Sequence, residues 1–163
     1  MRTILILFTR MNSNSRVCAD VDVSAVNAAL KAIHTASHRG MRLAVQDIGC
    51  IPLMYEVLAR NRDDAPEVIS LADKRACLDF ALTQPLDAVV VLGGDEDCLE
   101  IAHVAGARPD VTLLPVVSTG GAARVLFRNG RFDYPEGLAH AADDYVCLFE
   151  RLFEQLSLSP VAA

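Results

Sequence analysis

The chain has 163 residues, 52% of them hydrophobic and 22% charged, which suits one folded domain with a real core and excludes a disordered chain. Its net charge is −6 and its cations are scattered, so attraction to nucleic acid or to an anionic membrane surface is not expected. No apolar stretch is long enough to span a bilayer. Five cysteines, at 18, 50, 77, 98 and 147, form no C-x-x-C pair and read mostly as buried free thiols in a reducing cytoplasm.

The opening apolar run is too short for a signal peptide and predicts a central strand over Thr3–Phe8. Thr9–Val21 is polar and reads as a loop. Ser24 is positioned to cap a helix over Ala25–Arg39, with Val26, Leu30 and Ile33 on one face and Gly40 as its stop. Arg42–Gln46 predicts a second strand and Asp47–Ile51 a connecting loop. Pro52 suits the first turn of a short helix through about Ala59. After the turn-rich Asn61–Pro66 come a short strand, Glu67–Leu71, and a helix over Ala72–Thr83 that ends before Pro85. Strand Ala88–Leu92, helix Glu96–Ala105, strand Thr112–Val117 and helix Ala122–Phe127 follow. Asn129-Gly130 reads as a turn, and Glu136–Leu156 as a long final helix with Leu138, Tyr145, Leu148, Phe149 and Leu152 as its stripe.

Strands alternate with helices throughout. Ala, Val and Leu are abundant and Trp is absent, as in helices packed on a buried parallel sheet. The expected fold is α/β: a single-domain, Rossmann-like three-layer sandwich over 1–157, with 158–163 as a frayed tail.

Two glycine pairs stand out, because each directly follows a buried strand. They are Gly93-Gly94 after Ala88–Leu92, and Gly120-Gly121 after Thr112–Val117. Glycine permits positive φ and close approach by a backbone or a ligand. In open α/β sheets ligands bind beyond the carboxyl ends of the strands. Both pairs are therefore expected beside one cleft, with Thr9, Arg10 and Asn12 on its edge. Ser118, Thr119 and the Gly120 and Gly121 amides can form an anion cradle, with Arg124 one turn on. Asp95, Glu96 and Asp97 crowd the first glycine turn, so a phosphate should prefer the second. The alternative is structural: tight turns, helix caps and glycines needed for close packing.

The segment Gly93-Gly94 followed by Glu100 resembles the Lonely Guy, or lysine decarboxylase-like, family of the SLOG superfamily, whose motif is Gly-Gly-x-Gly-Thr-x-x-Glu. This chain has Glu96-Asp97 where that family has Gly-Thr. Lys74-Arg75 lies near the place of the family's Arg-Lys pair. The run Leu114-Pro-Val-Val-Ser-Thr-Gly-Gly-Ala-Ala-Arg124 is more similar to other SLOG branches: the cytosolic domains of melastatin-type TRP channels and the sensors of bacterial defence systems. The resemblance covers mainly 87–127 and implies binding of a nucleotide-derived ligand, such as a nucleotide, an ADP-ribose relative or a nucleotide sugar, by a cytoplasmic sensor module. It also implies a homodimer; the apolar stripe of the final helix reads as core first and as a dimer seam second. The alternative is a phosphoribohydrolase, with Glu100 stabilising positive charge on ribose and Arg75 holding the phosphate or leaving group.

Weaker constellations remain. His34 and His38 stand one helical turn apart, and Glu100 and His103 share a helix face, but each is expected to be a solvated surface pair. Neither a metal nor a cofactor is called for.

Overall fold

In the computed structural model, which describes residues 1–9, 15–129 and 144–158, five strands form one all-parallel sheet. They are β1 (Arg2–Phe8), β2 (Met41–Gln46), β3 (Glu67–Leu71), β4 (Ala88–Leu92) and β5 (Thr112–Val116), in the spatial order β3-β2-β1-β4-β5. β1 is central: Ile4 pairs with Leu43 on one side and Ala88 on the other. The chain winds outward from β1 in both directions, so the topological switch lies between β1 and β4, where Phe8 pairs with Leu92.

Six described helices cover the sheet: α1 (Val23–Ala36), α2 (Ile51–Ala59), α3 (Lys74–Thr83), α4 (Glu96–Gly106), α5 (Gly121–Asn129) and α6 (Tyr145–Leu158). The strand alternation decides which face each serves. Ile4, Ile6 and Phe8 point into a core shared with α1, α2 and α6, while Leu5 and Leu7 point into one shared with α3, α4 and α5. Strands buried on both faces need no polar alternation, hence the unbroken Ala-Val-Val-Val-Leu of β4, fully buried throughout. Asp87 joins the two halves, accepting the Thr3 amide at 2.8 Å and pairing with Arg2 at 3.2 Å.

Local chemistry shifts several boundaries. α1 is capped by Asp22, whose side chain accepts the Ala25 amide at 3.0 Å; Ser24 lies inside the helix instead of capping it. α1 ends at Ala36 and not at Gly40, because Arg62 reaches across to the His34 and Ser37 carbonyls. α3 begins at Lys74 behind an Asp73 cap. The stretch read as loop holds a 3-10 turn, Arg16–Asp20, and β5 stops at Val116 before another, Val117–Thr119. α5 runs through Asn129, the first residue of the expected turn, while Gly130 lies outside the described residues. α6 starts at Tyr145, with Asp144 accepting the Cys147 amide at 3.0 Å; the earlier part of the expected helix, with Leu138, lies outside the described residues. Tyr145, Leu148, Phe149, Leu152, Phe153 and Leu156 of α6 are all buried against the α1 side. At about 1.5–3 kcal/mol per large apolar side chain, that burial contributes on the order of 10 kcal/mol before entropy.

His34 corrects the expected solvated pair. It is 1% exposed and tilted against the Tyr55 ring, whereas His38 lies beyond the helix end and accepts the Gly40 amide. His34 Nδ1 faces an Arg62 nitrogen at 3.2 Å, so it acts as acceptor and Nε2 carries the proton. Nε2 is buried with no hydrogen-bond partner among the described residues. Burial, and secondarily the Arg62 charge, lower the His34 pKa from its ordinary 6.5. The unfolded chain therefore takes up a proton that the folded chain refuses. The contribution to stability is complete above about pH 6.5 and is lost as pH falls toward the folded value. We predict that His34→Phe flattens the acid limb of stability. The difference in unfolding free energy between wild type and variant should shift between pH 7 and pH 5 in urea titrations; a constant difference would refute this.

Candidate functional site

The loops after β1, β4 and β5 meet at the carboxyl edge of the sheet. The two glycine turns do share this edge, and they pack on each other. The Gly94 and Gly93 carbonyls accept the Ala122 and Ala123 amides at 3.1 and 2.9 Å, and all four glycines are buried. Thr119, fully buried, is the pin between them. Its hydroxyl accepts the Gly93 amide at 2.8 Å and donates to the Val116 carbonyl, and its own carbonyl takes the Asp22 amide at 3.1 Å.

A Cβ on Gly120, whose φ is +77°, would lie 2.2 Å from the Asp20 carbonyl oxygen. One on Gly121 would lie 2.7 Å from the Gly94 carbonyl oxygen. These glycines therefore serve backbone-to-backbone packing, the structural alternative of the sequence analysis.

The anion cradle exists, and the chain fills it. Asp20, at the end of the first 3-10 turn, accepts the Gly121 amide at 2.9 Å and pairs with Arg124. A carboxylate thus occupies the position where the sequence placed a ligand phosphate. Ser118 is 2.9 Å from the Tyr145 hydroxyl and ties the β5 loop to α6. Glu100 and Asp97 both hold Lys74 of α3, on the other side of the sheet from α1 and α2. Those hydrogen bonds, Glu100 first, raise the Lys74 pKa. Arg75 is exposed, and His103 is exposed on α4. Arg10 and Asn12 lie outside the described residues.

Thr9 stands at the switch point, with its hydroxyl 3.5 Å from Asp95 and 3.6 Å from the Cys18 sulfur. Cys18 reaches the Gly94 carbonyl and Cys98 the Phe8 carbonyl, each at 3.5 Å. Burial raises the Cys98 pKa far above the usual thiol range and pushes Cys77 up to about 11, so both stay protonated and inert as nucleophiles. The described cysteines are free thiols, but only Cys77 and Cys98 are buried; Cys18 and Cys147 are half-buried and Cys50 is exposed. Among the described residues no cluster of three or more metal-ligating side chains forms.

Next to this knot, on the α1–α2 side, a cavity of about 460 Å³ opens at the ends of β1 and β2. Phe8, Val26, Leu30 and Ile51 make its apolar floor, Cys18 and Val21 its wall, and Thr9 and Asn27 bring hydrogen-bonding groups. Its size falls within the range of small-molecule sites, about 300–1,000 Å³. The sequence reading found Thr9 here and missed the rest. The usable signal was Asp47-Ile48-Gly49 after β2, where Gly49 has φ +59° and open space around it.

No protein-family model matches the chain, and no curated protein and no solved structure is significantly similar to it. The fold defines a Rossmann-like α/β protein with a cleft at the carboxyl edge of the sheet.

Two substitutions separate packing glycines from a merely turning one. Gly120→Ala drives a methyl into the Asp20 carbonyl and should cost about 3 kcal/mol or more, while Gly49→Ala meets nothing and should cost about 1 kcal/mol. Urea unfolding of both proteins checks the ranking. Asp20→Ala should cost only about 1 kcal/mol, because the carboxylate is half exposed.

Proposed function

We propose that this chain is a small-molecule binding module for a nucleotide-derived ligand, acting as a sensor and not as a hydrolase. The observation that carries the reading is the cavity beside the switch point, where an apolar floor meets the Thr9 hydroxyl and the Asn27 amide. The resemblance of 87–127 to SLOG sensor segments supports the choice of ligand class. The hydrolase reading finds no support in the geometry. Glu100 is spent on Lys74, and α4 packs on the face of the sheet opposite the cavity.

Five free thiols fit a reducing cytoplasm. No described helix is long and apolar enough to cross a membrane. The homodimer implied by the resemblance belongs to the same proposal, though not through α6, whose stripe is consumed inside the chain. Leu53, Val57 and Leu58 of α2 are 54%, 47% and 37% exposed, and a second copy would bury them. Light scattering should give twice the chain mass at micromolar concentration, falling to the monomer mass in Leu53→Glu/Val57→Glu; a monomeric wild type would refute the dimer.

Thermal-shift screening against nucleosides, nucleotides and ADP-ribose relatives tests the ligand class. A true ligand at 100 times its Kd should raise stability by about 2.7 kcal/mol, a shift of roughly 5–10 °C. Silence across the set would refute the reading.

A further inference from the structure

The cavity sits within reach of several helix starts, yet no cation lines it; Lys31 lines the groove beside it, which shares Asn27, Gly49 and Ile51. Among the residues that line the cavity, none is charged. Two of the lining residues, Val21 and Val23, flank Asp22, and Val21 also follows Asp20. Asp22 caps α1 and Asp95 caps α4, each accepting a helix amide through its own carboxylate. Asp20 occupies the Gly121 amide and the Arg124 guanidinium. α2 is the described helix whose start opens on the cavity with no carboxylate cap, but its Ile51 amide is already donated to the Ile48 carbonyl and Pro52 has no amide hydrogen.

A phosphate brought into the cavity would lose water, meet no cation among the residues that line it, and approach the Asp20 and Asp22 carboxylates. An uncharged molecule meets none of these penalties. Its apolar body would rest on Phe8, Val26, Leu30 and Ile51. Its polar atoms would meet the side chains of Asn27 and Thr9.

From this we infer that the cavity takes the neutral, heteroaromatic part of a ligand, a nucleoside in preference to its phosphate, because none of its lining residues is charged and carboxylates already serve the starts of α1, α4 and α5 beside it. The inference rests on the nucleotide-derived reading and narrows it to an uncharged ligand. Asp20 is then an internal stand-in for phosphate. Its 3-10 turn also carries Cys18, so the segment that fills the anion position is the one that walls the cavity.

The experiment is calorimetry of the full chain with adenosine and with adenosine 5′-monophosphate, at 0.15 M salt, on four proteins. Wild type should bind adenosine about tenfold or more tightly than the monophosphate. Asp20→Asn keeps the amide acceptor but removes the charge; it should raise monophosphate affinity at least threefold and leave adenosine unchanged. Val23→Trp and Asn27→Trp place bulk at the cavity from exposed positions on α1, so both should retain native circular dichroism and lose adenosine binding at least tenfold. Equal or tighter binding of the monophosphate by wild type overturns the inference while leaving the nucleotide reading intact. Unchanged adenosine binding in both folded Trp variants shows that the cavity is not the site and also overturns it. An absence of binding by either compound refutes the nucleotide reading itself, and the inference with it.

Discussion

The carboxyl edge of this protein is governed by one steric constraint: three loops, from three strands, must pass backbone against backbone. Gly120 lies against the Asp20 carbonyl, Gly121 against the Gly94 carbonyl, and Thr119 pins the assembly with both its hydroxyl and its carbonyl. A Cβ at these places has nowhere to go. Once the loops are locked, the starts of α1, α4 and α5 are fixed relative to one another, and the space left beside them becomes the cavity. The cavity is what remains after the packing problem is solved.

That origin explains what could be read from the residues beforehand. Buried strands announce themselves by composition, so β1 to β5 and their alternation with helices were legible, and the doubly covered parallel sheet follows. That both glycine turns lie on one edge was legible too, because each follows a strand's carboxyl end. What they meet there was not. A glycine that admits a ligand and one that admits a neighbouring backbone have the same local signature, and the difference depends on Asp20, 101 positions from Gly121. The cap of α1 was misjudged for a related reason: Ser24 and Asp22 are both good caps, and the β5 loop decides between them by binding the Asp22 amide. His34 was misread because helical spacing does not show that α1 ends before His38, or that Tyr55 and Arg62 cover His34.

The acidic balance of the chain acquires a structural meaning in the same way. Asp22, Asp73, Asp95 and Asp144 cap α1, α3, α4 and α6, and Asp20 serves the first amide of α5. Negative charge is placed where helix dipoles attract it. Three cations are committed in the same way: Arg124 to Asp20, Lys74 to Glu100 and Asp97, and Arg108 to the carbonyls at the end of α3.

The outward winding from β1 also sets a timetable for synthesis. Of the five strands β1 is made first, but the strand that closes its second edge follows far behind, with Ile4 pairing to Ala88, 84 residues on. At about 5–20 residues per second that gap is roughly 4–17 s. Throughout it, one of the most apolar segments of the chain has its β2 edge satisfied at best and the other edge bare. The nascent protein therefore carries a template for unwanted pairing during translation, and its yield in a cell should depend on how quickly the Asp87 region arrives to cover it.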